Sequence, residues 1–161
     1  MNNSTFLKLI HVVSISLLLL GCNEDDYNDI TDMCMFPNFQ EYECFEQPFR
    51  NEYDELVIED NAAFHAYIDS LGAYRNSKMC DTTEFPSFDF ENYVMLRKFA
   101  SGGGCKIQFK RKVLQDFANL TITYLIEVKT SGKCDKLGFS NNWVLIPRKL
   151  FYDNVVFIVD E

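Results

Sequence analysis

YVMLRKFASGGGCKIQFKRKVLQDFANLTITYLIEV, residues 93–128, holds three runs in which side chains alternate with period two. Tyr93, Met95, Arg97 and Phe99 alternate with Val94, Leu96 and Lys98. Ile107, Phe109 and Arg111 are set against Lys106, Gln108 and Lys110, and Ile122, Tyr124, Ile126 and Val128 against Thr121, Thr123, Glu127 and Lys129. Neighbouring strand residues point to opposite faces, so the second and third runs read as half-buried strands with one polar face. Gln115–Asn119 between them reads as a hairpin connection.

Downstream, Trp143–Ile146 and Asn154–Val159 add two more strands, and Pro147 confines the first to an edge or an early end. Upstream, Leu56, Val57 and Ile58 make a short strand within Glu55–Glu59. From Asn61, Ala63, Phe64, Ala66, Tyr67, Ile68 and Leu71 recur at helical intervals, with Asp60 or Asn61 to cap the start and Gly72 to end it. A strand, a helix and then strands joined by short loops predict an α+β domain: a mainly antiparallel sheet of about five to six strands with one main helix. A small closed barrel is one form such a sheet can take. Met33–Asn51, with Pro37 and Pro48, and the polar stretch Arg75–Ser87 read as irregular.

The chain begins with a different kind of pattern. Residues 1–8 carry Lys8 and no acid, Leu9–Leu20 are almost wholly apolar, and Gly21 and Cys22 follow. That is the layout of an export signal, with an apolar core too short for a membrane span, which needs about 20 such residues. Leu19, Leu20, Gly21 and Cys22 resemble the bacterial lipobox. The resemblance implies that residues 1–21 are a signal peptide removed on export. Cys22 would then be lipidated and hold the protein to a membrane, and two or three acyl chains suffice for stable anchoring. Glu24, Asp25, Asp26, Asp29 and Asp32 make residues 22–33 read as an acidic solvated tether, with 34–161 as one compact domain. Acidic residues behind the lipidated cysteine also resemble the surface-export signals of some Gram-negative lipoproteins; a plain repelling spacer is the simpler reading.

Composition narrows the function. The formal net charge is −9, and loss of Lys8 with the signal takes it to about −10. Nucleic acid is a poor partner for such a chain, because phosphates must be met by clustered Lys and Arg. Arg97, Lys98, Lys106, Lys110, Arg111 and Lys112 form the one basic region, read first as a solvated sheet face and second as a surface for an acidic partner. The other cysteines are Cys34, Cys44, Cys80, Cys105 and Cys134, an odd number. At least one therefore lacks an intramolecular partner. Cys105–Cys134 is the favoured disulfide, worth roughly 3 to 4 kcal/mol if unstrained. Cys34–Cys44 is the second candidate, leaving Cys80.

Catalytic and cofactor motifs are weak. Ser101–Gly104 lacks the GxxxxGK pattern of a phosphate loop and reads as a turn. His65 is the one histidine after the signal and has no nucleophile motif beside it, so it reads as a solvated or core-edge residue. Metal binding would want four close Cys or His ligands. No catalytic, metal or cofactor residue is assigned. Pairs of carboxylates could in principle serve glycoside cleavage, but sequence does not place two at a fixed separation.

Residues 88 to the end resemble small bacterial lipoproteins of uncharacterised function. Asp89 and Phe90 precede the first strand, Gly103 and Cys105 form a Gly-rich turn with cysteine, Cys134 follows the hairpin, and Asn142, Trp143 and Pro147 mark the next strand. More distantly, the segment is similar to the C-terminal domain of protease-complex-associated proteins, although Cys105 stands where that domain more often has an aromatic residue. These resemblances imply an accessory role and no catalytic residue. The expectation is a non-enzymatic outer-membrane lipoprotein, periplasm-facing or at the cell surface, that binds a protein partner of an envelope or surface complex. The alternatives are a surface hydrolase or glycan-handling protein using paired carboxylates, and a structural envelope component.

Overall fold

The structure, a computed structural model, describes residues 27–37, 39, 55–72, 86–150 and 152–161. The described strands are β1 (Tyr27–Asp29), β2 (Glu55–Ile58), β3 (Tyr93–Gly103), β4 (Lys106–Asp116), β5 (Thr121–Ser131), β6 (Leu137–Pro147) and β7 (Asn154–Asp160), with helix α1 at Asn61–Gly72. They form two sheets, in the orders β1-β4-β5-β7 and β2-β3-β6. All pairings are antiparallel except β5 with β7. The fold is α+β and largely antiparallel, as the alternation predicts. It is an open two-sheet sandwich carrying a helix rather than a closed barrel. The reason is that β3 pairs with β6 instead of with its sequence neighbour β4, so the chain changes sheet at Gly103–Cys105.

Between the sheets lie Val94, Leu96 and Ala100 of β3, Val144 and Ile146 of β6, Val113 of β4, and Ile122, Tyr124, Ile126 and Val128 of β5. The other face of β3 and β6 is covered by α1. Asp60 caps that helix, its Oδ1 accepting the Ala63 N–H at 2.7 Å. Phe64, Tyr67 and Ile68, spaced to share one face, are buried against Met95, Trp143 and Leu145. Trp143 is the hub, with Phe39 at 5.2 Å and Tyr67 edge-on at 5.5 Å between ring centroids. Ala63 and Ala66, read as part of the apolar face, are exposed.

Because β3 is covered on both faces, its alternation separates two cores rather than core from water. Arg97 is accordingly buried, not solvated. Its guanidinium lies 5.7 Å from the Trp143 ring centroid and donates to Asn141 Oδ1 at 2.5 Å.

The reading of residues 22–33 as a tether is corrected for its second half. Tyr27–Asp29 pair with β4, and Ile30 is buried between the sheets, its N–H bonded to the Val113 carbonyl. One apolar side chain among the acids, backed by strand pairing, is enough to fold this segment down. The chain then crosses to the second sheet, where Met35 bridges Leu145 of β6.

Candidate functional site

The sandwich has two chemically different ends. At one, here called the base, the register brings together Tyr27, Asp116, Thr121 and Asn154, with Tyr93 and Pro147 in the other sheet. At the other, the tip, Gly103–Lys106 meet Ser131–Leu137: the Gly104 N–H donates to the Lys136 carbonyl and the Cys105 N–H to the Ser131 carbonyl, each at 2.9 Å. The length of β4 separates the two ends by about 30 Å at ordinary strand rise.

The tip is stapled. Cys105 and Cys134 form a disulfide across 29 positions of sequence. Close packing surrounds it: a Cβ on Gly132, whose φ is +81°, would stand 2.5 Å from Cys105 Sγ, and one on Gly102 would stand 2.8 Å from Val128 Cγ1. Beyond the reach of the aromatic layer, the outer face of β3–β6 shows Leu137 at 75% exposure and Phe139 at 46%, the latter stacked on Phe99 at 6.4 Å. They stand clear because their cross-strand neighbours, Gly103 and Ser101, are small. Lys106, Lys129, Lys133 and Lys136 are exposed around this end, with Asp135.

Two shallow clefts are present among the described residues, one over the middle of β4 and one at the base. One is lined by Asp29, Thr31, Asp32, Phe36 and the outer part of β4, the other by Met33, Asp89, Glu91, Asn92, Pro147 and Arg148. Each holds two carboxylates, the minimum for general acid and base work. A general acid at neutral pH needs a carboxyl held above its ordinary range, and the resolved shifts run the other way. Hydrogen bonds from Thr31 hold Asp29 below the usual carboxylate range, and those from Asn92 do the same for Asp89. Both carboxylates close local turns: the Thr31 N–H donates to Asp29, and Glu91, Asn92 and the Asn92 side chain donate to Asp89.

The basic residues read as one region are dispersed. Arg97 is internal, Lys98 pairs with Glu55 at 2.7 Å, Arg111 lies 4.7 Å from the centroid of Phe36, and Lys112 pairs with Glu127. The lysines that gather instead are at the tip, and Lys129, Lys133 and Lys136 were outside that reading. Their signal was faint, since the β5–β6 loop joins them to Lys106 only through the fold. His65 is exposed on α1. Among the described residues, no group of three or more His, Cys, Asp or Glu is placed to hold a metal ion, and no helix is long and apolar enough to cross a membrane.

The favoured disulfide is present, whereas the second candidate is not. Cys34 is a free thiol, donating to the Ile30 carbonyl at 3.4 Å, and burial pushes its pKa up to about 12. The segment carrying it folds into the sandwich, which turns the thiol inward to act as a small apolar residue. Cys22, Cys44 and Cys80 lie outside the described residues.

The residues that carry the family resemblance have fold-building roles here. Asp89 closes a turn, Phe90 and Trp143 are core, and Cys105 and Cys134 staple the tip. Asn142 donates to the Lys98 and Ser140 carbonyls, and Pro147 ends β6. A scan of family models, a search of curated proteins and a search of solved structures each found no match to this chain.

Proposed function

We propose that this is a non-enzymatic outer-membrane lipoprotein, anchored through Cys22, whose domain serves as a binding or accessory module for a protein of an envelope or surface complex. The observation that carries the reading is the run LLLLGC at 17–22 lying just before a folded segment that starts at Tyr27. Full extension from Cys22 to Tyr27 gives at most about 18 Å of chain, so an acylated Cys22 would hold the base close to the bilayer. The disulfide at the tip suits a compartment outside the reducing cytosol. One carboxylate in each cleft, Asp29 and Asp89, is tied into a local turn and held below its ordinary range, which lends no support to hydrolysis by a carboxylate pair.

The test is metabolic labelling with an alkynyl palmitate, comparing the wild type with Cys22→Ala. The proposal expects label and membrane partitioning in the wild type and neither in the variant. Equal labelling, or membrane retention without acylation, contradicts it. Protease shaving of intact and permeabilised cells then assigns the face of the outer membrane.

A further inference from the structure

We propose that the tip, where Leu137 and the Phe99–Phe139 stack lie beside Lys133 and Lys136, docks an acidic segment of a protein partner. This deepens the binding reading above and rests on it. The chain as a whole is strongly acidic at −9, so its long-range field repels an anionic partner from most directions. In the loop at the tip the sign reverses locally, with Lys106, Lys133 and Lys136 around Asp135, while Lys129 lies nearer Glu127, Asp160 and Glu161 at the end of β7. The base, by contrast, carries Asp29, Asp89, Glu91, Asp116 and Asp153 against Arg148 and Lys149. An acidic partner is therefore steered to one end of the molecule.

That end also offers something to hold. An aromatic stack and a leucine exposed side by side are the rigid apolar anchors that dominate binding energy where they are found, and a rim of charge sets orientation. The Cys105–Cys134 bond and the close packing at Gly102 and Gly132 fix the surface in advance, which lowers the ordering cost of binding. The patch lies at the tip end of the outer β3–β6 face. An anionic bilayer is the competing occupant. Chain geometry disfavours it, because anchorage at the base directs the tip away from the anchoring membrane, about 30 Å further out by strand rise.

The experiment uses the full chain in cells, with a photoreactive benzoyl-phenylalanine replacing Leu137 or, as a control elsewhere on the surface, Val156. Expected is a protein adduct from position 137 whose cross-linked peptide is net acidic. Its yield should fall about tenfold in the Lys133→Glu, Lys136→Glu variant, both positions being exposed and the fold of the variant being checked by circular dichroism. Adducts from 156 but not 137 overturn the tip while leaving the binding reading standing. Adducts from neither overturn both. Co-sedimentation of the purified protein with phosphatidylglycerol vesicles, lost in the same double variant and without any protein adduct at 137, assigns the tip to lipid and overturns the proposal.

Discussion

Tyr27 lies opposite Asp116 in the register of β1 on β4, at the far end of that strand from Lys106. The first described strand thus enters at the end of the sandwich remote from the disulfide. The same strand that accepts the incoming segment carries the tip outward, so the fold acts as a spacer between the two ends.

Loss of the disulfide is expected to loosen the tip first. Replacing Cys105 and Cys134 together with alanine should cost roughly 2 to 4 kcal/mol, given a closed loop of 29 positions. Chemical denaturation of the two proteins measures it. Peptide mapping of the non-reduced wild type should recover the two cysteine peptides linked; finding both alkylated as free thiols refutes the pair.

Gly132 and Gly103 make a matched comparison. Gly132→Ala places a Cβ against Cys105 Sγ at a φ of +81°, and is expected to destabilise by about 1 to 3 kcal/mol. Gly103→Ala meets only the Lys136 carbonyl at 3.8 Å and should lie within about 0.5 kcal/mol of wild type. Equal melting temperatures for the two variants would mean that the turn around Cys105 is not packed as described.

Stability should fall at both extremes of pH. Burial raises Tyr67 and Cys34 to about 12 and also raises Tyr124. The unfolded chain loses these protons first as pH climbs, from about 9 for the thiol and 10 for the phenols, so stability declines from there up to the folded values. Asp29, Asp89, Asp116 and Glu127 are held low by hydrogen bonds from Thr31, Asn92, Asn119 and Lys112. Their contribution is complete above the ordinary carboxylate range and is lost as pH drops through it. Denaturation midpoints across pH 2 to 12, flat between about 6 and 8, check both arms; a midpoint that rises above pH 10 contradicts the burial of the phenols.

Much of this was readable from residue order alone. The hairpin β4–β5 and the helix after Asp60 follow from period-two alternation, helical spacing and turn residues, all local signals, while the Cys105–Cys134 bond is the favoured of the cysteine pairings open to an exported chain. What the sequence hid was the partnership of strands. Nothing in β3 announces that it skips β4 to pair with β6, and without that pairing Arg97 reads as a surface residue instead of one packed on Trp143. Ile30 likewise sits in so acidic a neighbourhood that its burial emerges only once β1 is seen beside β4. The basic tip escaped for the same reason, since Lys106 comes near Lys133 only once β4 is paired with β5 and Cys105 is bonded to Cys134.

The claim that ties anchor, spacer and tip together is orientation at the bilayer. Its most direct test is quenching by headgroup-labelled lipid of a fluorescent amino acid placed at Ala118 in the base or at Lys133 in the tip, in the acylated protein reconstituted into vesicles. Strong quenching is expected at position 118 and little at 133, which should lie about 30 Å further from the surface. Equal quenching, or stronger quenching at 133, would contradict it.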